Sequence, residues 1–177
     1  MRDFAAKTLR VCQVVKEKSE CVAESIFPQQ LATTKHTPVL FGNRNMLAPV
    51  DVLAWGVSID HLLECRSGRL VFEDFLRTEY SEENLLFWLA CEKYKKIASK
   101  TEMMGAAKQI YTEFVQVDAP RQINIDCVTR EEITKNLSQP GPNCFDRAQR
   151  LIYGLMENDC YPRFLKSEIY QALLEQR

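Results

Sequence analysis

The stretch that decides the fold is Phe75–Glu92, which reads FLRTEYSEENLLFWLACE. Its second half, Leu85–Cys91, is an uninterrupted apolar run that is far too short to span a bilayer. Ser81 followed by Glu82 and Glu83 is typical of a helix start, because a serine caps the first turn and acids there favour the helix dipole. The run therefore predicts a helix enclosed by neighbours on every side, at the centre of a bundle.

The chain after residue 50 shows helical periodicity almost to its end, without strongly alternating stretches or Asn-Gly and Asp-Gly hairpin turns. Thr129 with Glu132 predicts a capping box at one helix start. One apolar face is formed by Phe145, Ala148, Leu151, Ile152, Leu155 and Met156. We expect an all-α domain with helices at about 51–64, 68–77, 82–98, 102–116, 130–138, 144–158 and 161–174.

Composition and charge exclude several classes of protein. The chain has 177 residues, 46% of them hydrophobic, which is enough for one globular domain. Its 23 basic and 24 acidic residues nearly cancel, so no global field attracts nucleic acid. Neither glycine-rich phosphate-loop motif is present. We therefore expect no nucleic-acid partner and no cofactor.

The cysteine and histidine pattern argues against a disulfide framework and a metal site. Seven cysteines give an odd count, and no Cys-x-x-Cys pair occurs. Neither His36 nor His61 has a partner at zinc-ligand spacing. A cysteine hydrolase would need one of these histidines beside a thiolate, and it remains a third interpretation. We expect no metal, and reduced thiols in the cytoplasm.

The chain divides into three parts by composition. Residues 1–27 are a candidate amphipathic membrane-binding helix, with Phe4, Val11 and Val15 in one sector and lysines flanking it. A partly disordered leader, or a helix packed on the domain, is the alternative. Residues 28–49 form a linker that holds three of the seven prolines, and residues 50–177 form the domain.

The segment Phe75–Glu92 resembles the signature of the regulator of G-protein signalling (RGS) domain. Three further blocks agree in order and spacing, namely Trp55–Leu63, Ala119–Asp126 and Met156–Leu165. The resemblance runs from about residue 51 to residue 174, and the short linker and leader look like those of the small, single-domain members. It implies an RGS-type fold of about nine helices in two lobes, one a four-helix bundle and the other built from both ends of the domain.

The resemblance also implies a function. RGS domains bind activated heterotrimeric G-protein α subunits, stabilise their switch segments in the transition state and speed GTP hydrolysis, without catalytic chemistry of their own. We expect a monomeric GTPase activator that prefers α subunits of the inhibitory class, with the Gq-type class second. The alternative is an RGS-fold adaptor that binds a partner without accelerating hydrolysis.

Site residues follow from the matched blocks. By resemblance, Asn124 is the loop amide that reaches the α subunit's water-positioning glutamine and a switch threonine. Asp159 would accept a backbone N–H of the first switch, and Arg163 would hold that carboxylate in place. The full set of contacts that the resemblance implies is Glu79, Tyr80, Ser81, Glu83, Asn84, Asn124, Leu155, Asp159, Cys160 and Arg163.

Ordinary structural roles compete with these assignments. Ser81 can cap a helix, Leu155 can belong to the core, and Asn124 can stabilise a turn. Cys160 stands where similar proteins usually carry serine, so it either weakens a contact or packs inward. Arg163 can be an ordinary surface cation.

Two cysteines are candidates for lipid attachment. Cys12 and Cys91 resemble positions that are palmitoylated in small relatives, and Cys91 is also explained by simple burial. One acyl chain at Cys12 with flanking lysines would give the two signals that stable anchoring needs. The expected location is therefore cytoplasmic, peripheral at the inner face of the plasma membrane.

Overall fold

A computed structural model describes residues 49–175, and these residues are helical without a strand, which confirms the all-α prediction. The helices are α1 Pro49–Ala54, α2 Ile59–Glu64, α3 Arg66–Thr78, α4 Glu82–Tyr94, α5 Lys100–Ile110, α6 Cys127–Asn136, α7 Asp146–Leu155, α8 Tyr161–Lys166 and α9 Glu168–Glu175. Two π-helical turns, Tyr111–Val115 and Met156–Cys160, continue α5 and α7. No helix between residues 49 and 175 is long and apolar enough to cross a membrane.

The first of two compact units joins both ends of the described chain, residues 49–72 and 167–175. The Tyr170 hydroxyl of α9 donates to the Val52 carbonyl of α1 at 3.0 Å. Trp55 and Leu62 are fully buried in this unit. The expectation of a lobe built from both ends of the domain is thus confirmed.

The second unit, residues 73–166, is built on four helices. Helix α4 packs against α5 and α7, and α7 also packs against α6. The ring of Phe87 on α4 lies 5.7 Å from that of Phe114 and 6.4 Å from that of Phe145. Tyr94 packs edge-on against Phe145 at 5.1 Å, and its hydroxyl donates to the Gly141 carbonyl at 2.9 Å. These aromatic contacts hold the four-helix unit together.

The prediction that α4 is enclosed on every side is only partly correct. Leu85, Phe87 and Cys91 are buried, whereas Leu86, Trp88, Leu89 and Ala90 keep partial exposure. The helices α5 and α7 cover part of its circumference. An apolar run therefore marks a central helix without guaranteeing burial of each side chain.

The predicted helix 51–64 is wrong as a single element, because the chain turns between Ala54 and Ile59. A Cβ at Gly56 would lie 2.7 Å from the Tyr170 hydroxyl, so the turn passes too close to α9 for a side chain. Ser58 then caps α2 by accepting from the His61 backbone N–H at 3.3 Å.

The predicted capping box at Thr129 is also wrong. The N-cap is Asp126, whose carboxylate accepts from the Thr129 backbone N–H at 2.8 Å and from the Thr129 hydroxyl at 2.6 Å. Thr129 is fully buried inside the first turn of α6. A serine or threonine three residues before a glutamate therefore does not fix the cap when an aspartate precedes it.

The C-terminal helices are shorter than predicted. Instead of 144–158 and 161–174, α7 passes through a π-helical turn into α8, and Ser167 separates α8 from α9. The Ser167 hydroxyl accepts from the Tyr170 backbone N–H at 3.3 Å. Leu151, predicted on the apolar face of α7, is 45% exposed because it lies at the edge of that face.

Helix α3 ends in a tight left-handed turn centred on Tyr80. The backbone N–H of Ser81 donates to the Leu76 carbonyl at 2.9 Å, and that of Tyr80 donates to the Arg77 carbonyl at 3.3 Å. This bonding pattern is the Schellman motif, in which glycine usually supplies the positive φ. Here Tyr80 adopts φ 53°. A β-carbon in this conformation costs about 1–2 kcal/mol.

Two helical glycines should respond in opposite ways to alanine. A Cβ at Gly68 would lie 2.5 Å from the backbone oxygen of Leu62, whereas one at Gly105 meets nothing within 4 Å. Gly105→Ala should raise the free energy of unfolding by about 1 kcal/mol, the usual difference in helix propensity. Gly68→Ala should lower it, because backbone cannot move aside cheaply. Chemical denaturation measures both; equal stabilisation by the two variants would contradict the packing described at Gly68.

Replacing Tyr80 by glycine should stabilise the free protein. Tyr80→Gly relieves the left-handed strain but adds unfolded-state entropy, so the net gain should be about 0.5–1 kcal/mol. Thr78→Gly, within the last turn of α3, is the matched control and should destabilise by a similar amount. Loss of stability in Tyr80→Gly would show that the ring, rather than the backbone, dominates at this position.

Candidate functional site

The residues that the resemblance assigned to a contact surface fall in three segments of the second unit. The first is residues 79–84, between α3 and α4; the second is the loop 119–126; the third is residues 155–163, from the end of α7 through the π-helical turn into α8. Each segment connects elements whose buried side chains fix its position.

Arg163 joins the first and third segments. Its guanidinium pairs with the carboxylate of Glu79 and with that of Asp159, the latter at 2.7 Å. The structure therefore brings Glu79, Asp159 and Arg163 together. All three side chains are substantially exposed, so the pairs contribute about 0–1 kcal/mol each, and their main effect is to fix geometry.

A π-helical turn presents Asp159. Within Met156–Cys160 the two end residues are buried, and Glu157, Asn158 and Asp159 are exposed in succession. The extra residue of a π-helical turn shifts the helix face and is frequent at functional sites. This turn was missed by periodicity, because one inserted residue leaves the apolar pattern nearly unchanged.

Cys160 is 2% exposed. Burial raises the pKa of its thiol, the charge of Asp159 raises it further, and a hydrogen bond and charge from Arg163 oppose the rise. This placement favours the inward-packing interpretation. A buried side chain offers little surface to a partner. Cys160 would therefore affect partner binding through its interaction with Arg163.

The first segment combines an exposed ring with a buried amide. Tyr80 is 92% exposed, whereas Asn84 is 3% exposed. The Asn84 amide nitrogen donates to the Ser81 carbonyl at 3.1 Å and to the Glu83 carboxylate at 3.3 Å. Burial raises the pKa of Glu83, and neighbouring Glu82 raises it further. Ser81 occupies the predicted N-cap position, but its side chain makes no cap bond.

The buried oxygen of Asn84 has no hydrogen-bond partner among the described residues. A buried acceptor without a partner costs free energy, and such groups are uncommon. The first segment therefore contains a buried acceptor without a partner, the Asn84 side-chain oxygen, four residues after the exposed Tyr80.

Asn124 lies exposed between two buried isoleucines in the second segment. The backbone N–H of Ile123 donates to the Phe114 carbonyl at 2.9 Å, and Ile123 and Ile125 are both in the core. Among residues 49–175 the Asn124 side chain has no hydrogen-bond partner in the chain. The turn-stabilising role considered for Asn124 is therefore not what the structure shows, and its amide is free to bind another molecule.

The far end of this loop is anchored by Asp126, the cap of α6. Hydrogen bonds from the Thr129 hydroxyl, then from its backbone N–H, lower the pKa of the Asp126 carboxyl. The Arg130 side chain of α6 also donates to the Val115 carbonyl at 2.8 Å. Both ends of the loop are thus tied to helices, and Asn124 is presented from a fixed backbone.

The charge of Arg121 in the second segment acts on Glu73 of α3. Burial raises the pKa of Glu73, Asp74 and Glu82 raise it further, and Arg121 opposes the rise. Glu82 and Arg121 therefore both lie within electrostatic range of Glu73 on α3. The ion pair of Arg121 is with Glu113 in the π-helical turn after α5, a contact that sequence reasoning missed because such pairs leave no periodic signal.

The other assigned residues are less distinctive. Leu155 is half-buried at the end of α7, which fits either a core or a contact role. Cys91 is buried, and burial raises the pKa of its thiol strongly. Cys12 lies outside the described residues. Between residues 49 and 175 no group of His, Cys, Asp and Glu side chains could hold a metal ion.

Comparison with known proteins identifies the family. The model of the regulator of G protein signaling domain matches residues 58–173. The chain is 52% identical to regulator of G-protein signaling 5 of Rattus norvegicus over 124 residues, 70% of this chain and 68% of that protein. It is 47% identical to regulator of G-protein signaling 13 of Homo sapiens over 125 residues, 71% of this chain and 79% of that protein.

Similarity extends to a third relative, regulator of G-protein signaling 21 of Homo sapiens, with 49% identity over 124 residues, 70% of this chain and 82% of that protein. The matched range contains all three segments of the candidate site. The chain belongs to the family of regulators of G-protein signalling.

Proposed function

We propose that this protein accelerates GTP hydrolysis by an activated heterotrimeric G-protein α subunit. The observation that carries the proposal is the presentation of Asn124, an exposed amide without an internal hydrogen bond on a loop anchored at both ends. The protein contributes no catalytic chemistry in this proposal. It binds the transition-state form of the α subunit more tightly than the ground state and so lowers the barrier.

The chemistry of phosphoryl transfer suits this division of labour. The reaction is catalysed almost entirely by positioning and charge stabilisation, and the α subunit already holds its arginine in cis. An asparagine side chain offers both a donor and an acceptor, so one residue can bridge a water-positioning glutamine and a switch threonine. Because the loop is already ordered, little conformational entropy is lost on binding.

The first and third segments supply the remainder of the proposed docking face. Asp159 offers a carboxylate to a backbone N–H of the partner, and Arg163 fixes its position from the side. Tyr80 offers a solvent-exposed ring, the kind of residue that often dominates an interface. Glu79, Glu82 and Glu83 make this side acidic, so the complementary surface should carry positive charge.

The partner class and the location are finer proposals. The resemblance favours α subunits of the inhibitory class first and the Gq-type class second, bound by a monomer. Residues 1–27 would bind anionic membrane and Cys12 would carry an acyl chain, placing the protein at the inner face of the plasma membrane. Acylation of Cys91 would require α4 to open, because the thiol is buried.

Replacing the loop amide should remove most of the acceleration. Asn124→Ala should reduce single-turnover GTP hydrolysis stimulated by the protein by about 10- to 100-fold, because positioned groups of this kind contribute at least that much. Its far-ultraviolet circular dichroism and melting temperature should remain those of the wild type, since the removed side chain makes no internal bond.

The matched control is Asn136→Ala, which removes an exposed asparagine in the last turn of α6. It should leave stimulated hydrolysis within about two-fold of the wild type. Full stimulation by folded Asn124→Ala would remove this residue from the mechanism. Tight binding of the wild type to the α subunit without any stimulation would replace the GTPase activator by the RGS-fold adaptor.

A further inference from the structure

We propose that Tyr80 is a phosphorylation site for a protein tyrosine kinase that accepts acidic substrates, and that its phosphorylation weakens binding of the α subunit to the docking face. The modification itself depends only on the exposure, backbone and charge of this residue. Its effect on docking rests on the function proposed above.

Exposure separates Tyr80 from the other tyrosines. The chain has six, all between residues 80 and 170. Tyr80 is 92% exposed, and the other five tyrosines are buried or half-buried. Tyr94 and Tyr170 are buried with their hydroxyl groups donating to backbone carbonyls, and the Tyr111 hydroxyl shares a hydrogen bond with Thr134 at 3.1 Å. Tyr80 is therefore the tyrosine most accessible to a kinase that acts on the folded protein.

Phosphorylation of Tyr80 requires its backbone to open. A kinase holds its substrate tyrosine in extended chain, so the turn that ends α3 must loosen. The backbone hydrogen bonds from Glu79 and Ser81 to Leu76 and from Tyr80 to Arg77 would open, together with the bond from the Ser81 hydroxyl to the Leu76 carbonyl. Release of the positive φ at Tyr80 offsets part of this loss.

Acidic side chains flank the acceptor on both sides. Glu79 precedes Tyr80, and Glu82 and Glu83 follow it. Arg77, three residues before it, is paired with the carboxylates of Glu73 and Asp74, so its charge is largely offset. Glu79 is paired with Arg163 in turn, so the negative charge offered to a kinase comes mainly from Glu82 and Glu83. It complements a substrate groove lined by basic residues.

The reaction is an ordinary phosphoryl transfer with ATP as the donor. The Tyr80 phenol oxygen attacks the γ-phosphorus of magnesium-bound ATP, and the bond to the β-phosphate oxygen breaks to release ADP. The phenolic proton passes to the base of the kinase. Tyr80 then carries about −1.5 to −2 charge at pH 7.

That charge opposes docking. In the proposed complex the ring of Tyr80 passes from water into an interface, and a phosphate dianion must then lose its hydration. Its chain neighbours Glu79 and Ser81 carry no positive charge, and Arg163, the cation beside Glu79, is already paired with Glu79 and Asp159. Linkage requires the reverse effect as well, so a docked α subunit should protect Tyr80 from the kinase.

The first experiment tests the modification alone. The full chain is treated with Mg-ATP and the catalytic domain of a Src-type tyrosine kinase that phosphorylates poly(Glu-Tyr), and initial rates at each tyrosine are followed by mass spectrometry. Phosphate should enter Tyr80 at least about ten-fold faster than Tyr111, Tyr153 or Tyr161, and Tyr80→Phe should abolish the fast phase. Equal rates at these sites, or no incorporation at Tyr80, would overturn the assignment.

The second experiment tests the consequence. Purified protein phosphorylated at Tyr80 should bind an α subunit with GDP and aluminium fluoride at least about ten-fold more weakly than untreated protein, whereas kinase treatment should not change the affinity of Tyr80→Phe from its own untreated value. The bound α subunit should also slow phosphorylation of Tyr80. Unchanged or tighter binding would overturn the claim that phosphorylation of Tyr80 weakens docking. Failure of the untreated protein to bind would instead refute the proposed function and leave the rate assignment standing.

Discussion

The proposed docking face depends on one chain of contacts that starts in the apolar run of α4. Phe87 packs on Phe114, and the Phe114 carbonyl accepts the backbone N–H of Ile123 at 2.9 Å. Asn124 is the next residue, so the core of the four-helix unit sets the position of the loop amide. A loop held this way is ordered before it meets a partner, and binding energy is not lost in ordering it.

Different parts of the molecule stabilise the fold and position the residues of the candidate site. The buried rings and isoleucines provide stability through apolar surface removed from water. The ion pairs of Arg163 with Glu79 and Asp159 are exposed, so they add little stability while fixing two segments far apart in sequence. Strain at Tyr80 and the unpaired oxygen of Asn84 lie beside these pairs in the same segment. Such unfavourable local free energies are typical of functional sites, and the stability of the core compensates for them.

The sequence predicted the all-helical class and the central helix, because apolar periodicity is a local signal. It did not predict that the isoleucines on either side of Asn124 are buried, since a short loop has no periodicity. It did not predict the cap at Asp126, because the spacing of Thr129 and Glu132 matches a capping box and only tertiary packing buries Thr129. The turn at Gly56 depends on Tyr170, more than a hundred residues away, and the Arg163–Glu79 pair joins residues 84 apart. Contacts between residues so far apart in the chain leave no periodic pattern from which they could be predicted. The role of the site rests on family resemblance, because an amide and a few carboxylates fit many partners.

In the proposed mechanism the docking face recognises the transition state of GTP hydrolysis. The most direct test is the affinity of the full chain for one α subunit in two forms, with GDP alone and with GDP plus aluminium fluoride. Binding to the aluminium fluoride form should be tighter by at least about 100-fold, because acceleration requires preferential binding of that state. Equal affinity for the two forms would contradict transition-state recognition by this protein.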